Sequence, residues 1–431
     1  MIINSVVISV IALCILCLLR VNVLFSLMIS AIIAGLCAKM SISHIMELFI
    51  SGMGQNSETA LSYILLGALA AAISHTGLAS ILSIKISSLI KNNKYILLGI
   101  LIIISILSQN LIPVHIAFIP ILIPPLLSLM NKLKLDRRAV ACSLAFGLKA
   151  PYIALPLGFG LIFQGLIADN MTQNGITISK TSIWHYSWTL GVAMFIALLI
   201  SIFITYRKPR NYKEIQVDIA QIDTKLEKKH YITLFGAMTT LVVQIISGSL
   251  PLGALVGLAV IFGFRAVPHK KMDFLMNEGV ILMGYIAFVM LVCAGFACVL
   301  KETQGIDALV NSIYPYIQNS KMLASVAMLL IGLIITIGIG SSFGTIPILA
   351  VLFVPLCAKL GFSTPSIVIL LSAAAALGDA GSPASDTTLG PTSGLNADGQ
   401  HNHIKDTCIP TFLHYNSALI IGALIAVCIF G

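Results

Sequence analysis

GDAGSPASDTTLGPTSG, residues 378–394, decides how the chain must be read. It follows the apolar run SIVILLSAAAAL at 366–377 and interrupts it with four glycines, two prolines, two carboxylates and a row of hydroxyls. Gly and Pro release backbone groups from a helical ladder. In lipid such groups survive only when buried in protein or facing a cavity. A carboxylate at that depth costs at least about 2.5–3.5 kcal/mol, so it is retained for ions, protons or a partner.

The surroundings place this break in a membrane. Of 431 residues, 58% are hydrophobic and 10% charged, against about 25% charged in soluble domains. Unbroken apolar runs such as 96–112 and 183–205 predict helices rather than alternating barrel strands. The expected class is an all-α polytopic membrane protein of about 12–14 transmembrane helices. The formal net charge of +9 comes from loops without interleaved aromatics, which sets nucleic acid aside. With the N-terminus outside, the basic groups Lys85–Lys94, Lys132–Arg138, Arg207–Lys229 and Arg265–Lys271 fall in inward loops, and Lys39, Lys180, Lys301, Lys321 and Lys359 fall outward. That bias gives a multi-pass protein of the cell (inner) membrane with both termini extracytoplasmic. The first segment lacks a basic n-region and a cleavage site, and reads as a retained span. Cys14 and Cys17 form a lone C-x-x-C within it and read as apolar helix residues.

Spacing suggests a duplication. Gly77, Pro120 and Pro156 recur at Gly305, Pro347 and Pro383, offset by 227–228 residues. An odd number of crossings lies between the copies, predicting two inverted-topology repeats with broken helices or re-entrant hairpins, the plan of many secondary carriers. The expected organisation is N-terminal helices and connector at 1–58, the first repeat at 59–205, a polar cytoplasmic linker at 206–230, a helix pair at 231–278, the second repeat at 279–390, and a loop with the last helix at 391–431. The mixed segment 39–57 is expected to be amphipathic or re-entrant.

Four polar breaks carry the candidate site: Gln109 and Asn110 through His115; Lys149 with Pro151, Pro156 and Gly158; GIGSSFGTIP at 338–347, holding Ser341, Ser342 and Thr345; and 378–394, holding Asp379, Ser382, Asp386 and Thr387. Carboxylates and hydroxyls are hard oxygen ligands suited to a small cation. Asp386 has a blander alternative, as a helix cap. Lys149 pairs with Asp379, binds a substrate carboxylate, stands in for a cation, or snorkels to the interface. His115 is a proton relay or a packing residue. Gly340–Gly344 fits G-x-S-x-G, but between apolar helices, so an intramembrane hydrolase using Ser342 and His414 is the remote alternative. His401, His403 and His414 lack the partners of a zinc site, and no metal or cofactor is expected.

The run GDAGSPASDTTLGPTSGLNADGQHNHIKDTCIPTFLHYN, with GSSFGTIP before it, resembles the NhaC-type Na+/H+ antiporter family, and most closely its amino-acid permease branch, which includes a YuiF-type histidine transporter. The resemblance implies a secondary carrier and not an enzyme, with Na+ or H+ as coupling ion and elevator-like movement. It places Asp379, Ser382, Asp386 and Thr387 at the ion or substrate site, with Ser341, Ser342 and Thr345 nearby. A small amino acid, histidine-like, is the implied substrate, and such carriers are often homodimers. A Na+/H+ antiporter is the alternative, and Lys149 departs from simple cation exchange.

Overall fold

The computed structural model describes residues 4–19, 21–78, 81, 93–110, 119, 122–213, 225–318, 320–339, 341–383 and 385–431. Among these every regular element is a helix. The helices that matter below are α1 (Ser5–Leu18), α2 (Val23–Cys37), α3 (Ile42–Met53), α4 (Ser57–Thr76), α5 (Lys94–Asn110), α6 (Leu127–Lys132), α7 (Arg137–Ala154), α8 (Phe159–Gln173), α9 (Trp184–Ile200), α10 (Lys228–Ser247), α11 (Leu250–Gly263), α12 (Met272–Glu302), α13 (Gly305–Ile317), α14 (Lys321–Ile339), α15 (Ser342–Lys359), α16 (Thr364–Ala376), α17 (Asp386–Leu395) and α18 (Ser417–Phe430).

Among the described residues, six helical stretches are long and apolar enough to cross a bilayer. Helices α7 and α8 together make a seventh, bent by 47° at the break 155–158. Shorter apolar helices, α16 among them, complete the set. At about 1.5 Å per residue, the 13 residues of α16 stop well short of a 30 Å core, as a helix ending at a mid-membrane break should. Exposed side chains such as Ile246, Ile281 and Ile429 supply the lipid-facing belt. The segment 39–57 resolves as amphipathic α3, whose Ile45, Phe49 and Gly52 face inward.

A long helix, α12, leads to amphipathic α13, then α14, proline-bearing α15, and α16 with α17 either side of a break. In the segment expected as the first repeat, residues 79–80, 82–92, 111–118 and 120–121 lie outside the described residues. The polar break expected around Lys149, Pro156 and Gly158 separates α7 from α8, because Pro156 and Gly158, at φ +57, cannot continue a helix.

Helices α4 and α12 cross at small residues. A Cβ on Gly279 would meet the backbone nitrogen of Ala68 at 2.3 Å, so only glycine permits this approach.

At the basic end, Arg137 is buried, and its guanidinium grips Asp398 bidentately at 2.6 and 2.5 Å. The same group donates to the Leu395 carbonyl at 2.9 Å. This ties the start of α7 to the end of α17. The linker is not wholly free: Tyr212 OH accepts from the Arg137 backbone N–H at 3.0 Å and its ring lies 4.2 Å from the guanidinium. Arg210 reaches Asp406 at 2.8 Å. Removing one partner of a buried pair costs about 3–5 kcal/mol. Arg137→Gln is therefore expected to lower the thermal midpoint in detergent markedly, whereas Lys132→Gln, at an exposed helix end, should leave it unchanged. Equal midpoints for Arg137→Gln and the parent would remove the clamp from the account.

Candidate functional site

Helix α7 is buried on nearly every face, so any charge on it needs a partner inside the protein. Lys149 has 0% exposure, which rules out snorkelling. Its Nζ lies 2.9 Å from Asp379 Oδ2 and 3.5 Å from Ser342 Oγ. Tyr152, three residues on and therefore on the same helical face, adds its hydroxyl 3.0 Å from Ser342 Oγ and 3.3 Å from Asp379 Oδ2.

Asp379 sits in the break between α16 and α17. Leu377 leaves the helix in an extended conformation, and Gly378 and Gly381 follow at φ +80 and +99, values that other residues adopt only with strain. Asn416 braces the turn: its Oδ1 accepts from Gly378 N–H and its Nδ2 donates to the Ala380 carbonyl, each at 3.0 Å. The carboxylate so presented accepts at Oδ2 from Lys149, Tyr152 and, at 2.6 Å, Ser342 Oγ. Its Oδ1 accepts from Ser385 Oγ. Among the described residues, one ammonium and one carboxylate thus meet with three hydroxyls away from solvent.

The other candidates divide. Thr387 lines the same cavity, its Oγ1 2.8 Å from Ser385 Oγ. Ser382 contributes backbone, its carbonyl accepting from Thr388 Oγ1 at 2.6 Å. Thr345 donates to the Ser342 carbonyl at 2.9 Å, a bond internal to its own helix. Ser341 caps α15, accepting from Gly344 N–H at 3.4 Å, and also lines the cavity. Gln109 is buried against the cavity with its Oε1 lacking a partner among the described residues. Ser385, not Asp386, caps α17, accepting from Thr387 N–H at 3.1 Å, because its position one residue earlier puts the hydroxyl over the first free amides. The side chains of Asp386, Asn110, Cys14 and Cys17, and all of His115, lie outside the described residues.

The cavity holds about 390 Å³, and Tyr63, Phe159, Tyr285 and Phe343 form aromatic walls. Phe343 lies edge-on to Phe159, with ring centres 5.7 Å apart. Sequence reading passed over Tyr152 and these aromatics. Only the spacing of Tyr152 from Lys149 signalled one of them, since the rings come from helices far apart in the chain.

Enzyme-like and metal alternatives find no support in these contacts. His414 bonds Thr205 Oγ1 at 3.0 Å and the Pro410 carbonyl at 2.7 Å, and Ser342 turns to Asp379. His401 bonds Thr407 Oγ1 at 2.7 Å, and burial pushes its imidazole down to about 4. His403 bonds Thr392 Oγ1 at 2.8 Å and the Pro383 carbonyl at 3.0 Å.

The sequence profile of the Na+/H+ antiporter family matches residues 143–427, and a second Na+-H+ antiporter family profile matches residues 4–90. The chain belongs to the Na+/H+ antiporter family. An uncharacterized membrane protein of Vibrio parahaemolyticus, VP2115, is 46% identical over 98% of this chain and 99% of its own length. The Bacillus subtilis protein named "Putative amino acid transporter YuiF" is 44% identical over 98% of this chain and 99% of its own. Two solved transporters share the fold at low identity. The YdaH transporter of Alcanivorax borkumensis has a TM-score of 0.62 at 12% identity, covering 90% of this chain and 88% of that one. MtrF of Neisseria gonorrhoeae has a TM-score of 0.58 at 15% identity, covering 90% and 83%. This family member is thus a multi-pass secondary transporter and not an enzyme, and a Na+/H+ antiporter family implies Na+ or H+ as coupling ion.

Proposed function

We propose that the protein carries a small amino acid by alternating access, coupled to H+ or Na+, with the Lys149–Asp379 pair at the centre of the substrate site. The pair itself carries this reading. A site built for a bare cation would leave its carboxylate to the ion, whereas here Asp379 already holds an ammonium at 2.9 Å beside a cavity of about 390 Å³. That volume suits a small organic solute. A substrate carboxylate competes with Asp379 for Lys149, the Tyr152 hydroxyl and Ser342. As Lys149 turns to the substrate, Asp379 takes the coupling ion, so solute and ion move together. Gln109 Oε1, which lacks a partner among the described residues, is an acceptor for the substrate ammonium, and the aromatic walls favour a flat side chain such as imidazole. Two inverted repeats, each with one broken helix, supply the two access states. The name of the Bacillus subtilis relative supports the same substrate class.

Na+/H+ exchange is the second reading, favoured by the family profile over 143–427. There Lys149 stands in for Na+ on Asp379 and leaves when the ion enters.

Ligand-induced stabilisation separates the two, since a ligand at 100 times its Kd adds about 2.7 kcal/mol. For purified protein titrated with amino acids, the first reading expects histidine or a related amino acid to raise the melting temperature, and its carboxamide to have no effect. A rise with Na+ alone, and none with any of a broad amino-acid panel, would establish the second reading.

A further inference from the structure

A second cavity, of about 570 Å³, is lined by Pro156 and Leu157, just past the end of α7 opposite Arg137. It shares no lining residue with the central cavity. Its walls come from the start of α4, the break between α7 and α8, residues 161–169 of α8, the segment leading into α9, and the turn between α10 and α11.

Its chemistry is that of an acceptor. Glu58 and Asp169 bring carboxylates and Lys180 one ammonium, which lies 2.8 Å from Asp169 in a half-exposed pair. The formal balance is negative in a chain whose net charge is +9. The independent observation is Gln164. It is 1% exposed and lines this cavity; its Nε2 donates to the Ile153 carbonyl at 3.3 Å, and its Oε1 lacks any partner among the described residues. A buried amide oxygen without a partner costs about 1–3 kcal/mol, so a donor belongs opposite it. Trp184 adds an indole face on which an organic cation can rest.

We infer that this cavity is a binding site for the ammonium group of a small organic amine, distinct from the Lys149–Asp379 centre. Gln164 Oε1 and Glu58 accept from the ammonium. Lys180 and the ligand compete for Asp169. Pro156 and Leu157 of the helix break line the same space, and Gln244 Nε2 fixes the Gly158 carbonyl at 3.1 Å from the cavity wall. A bound amine therefore contacts the segment on which α7 and its Lys149 are hung. A free solute and the ethanolamine headgroup of a lipid offer the same ammonium.

Trp184 and Trp188 are the chain's two tryptophans, and Trp188 faces outward, so Trp188→Phe leaves Trp184 as a single reporter. The full-length variant in phosphatidylcholine nanodiscs is titrated with ethylammonium chloride at pH 7, with NaCl holding ionic strength. The expected result is a saturable change in Trp184 emission, with affinity lowered at least tenfold by Gln164→Leu and by Glu58→Gln. Glu58 is exposed, so the latter change leaves packing intact. Asp379→Asn should leave the titration unaltered. Weaker affinity in discs containing phosphatidylethanolamine assigns the ammonium to the headgroup, and equal affinity assigns it to free amines. A non-saturating response, a response indifferent to Glu58→Gln, or its loss in Asp379→Asn overturns the inference; loss would place the signal in the central cavity.

Discussion

Asp379→Asn is expected to abolish transport while the protein still inserts and folds. The neutral amide keeps the shape of the carboxylate but not its charge, so Lys149, at 0% exposure, loses the counter-ion that lies 2.9 Å from its Nζ. Losing one partner of such a pair costs about 3–5 kcal/mol. Asp379 is also the group that takes the coupling ion in the proposed cycle, so uptake should fall about 100-fold or more, each tenfold being about 1.4 kcal/mol of barrier. The stability loss should be smaller, because a buried lysine sheds its proton rather than remain charged. Initial rates of labelled-solute uptake, normalised to inserted protein, read the first effect, and the melting temperature reads the second. Wild-type uptake in Asp379→Asn would take this carboxylate out of the mechanism.

The second large effect is expected at the other partner. Lys149→Met leaves an anion among Ser342, Tyr152 and Ser385 hydroxyls, which is a cation site in all but occupant. The variant should lose uptake and melt several degrees lower, and Na+ should restore much of the melting temperature. The parent, whose Asp379 is already paired, should respond to Na+ far less. The double change Lys149→Met with Asp379→Leu removes both charges and should recover stability without transport, since replacing a buried pair by apolar groups is often neutral or better. A double variant as unstable as Lys149→Met alone would show that the two charges do not act on each other.

The membrane class was legible because length and apolarity leave no other solution, and the breaks were legible because Gly378, Gly381, Pro156 and Gly158 stand where helices cannot pass. Lys149 and Asp379 were legible singly, as charges that lipid does not tolerate. Their contact is a matter of tertiary packing across 230 residues, and no local pattern records it. Asn416 shows the limit most plainly. It holds Gly378 and Ala380 in place, yet in sequence it is an ordinary polar residue ahead of an apolar helix. Arg137 looked like one more basic loop residue, because the orientation bias explains every Lys and Arg there equally well. Only its burial against Asp398 sets it apart. The capping role at α17 went to Ser385 because one residue's difference in where the helix begins lies below what spacing can resolve.

The most direct test is uptake into proteoliposomes holding the purified chain, with labelled histidine outside and an inward gradient of H+ or of Na+ imposed in turn. The account predicts that one of the gradients drives histidine, or another small amino acid from the same panel, to accumulate above equilibrium, and that Asp379→Asn abolishes this. Na+-driven proton movement with no organic solute present, and no uptake of any amino acid under either gradient, would contradict it.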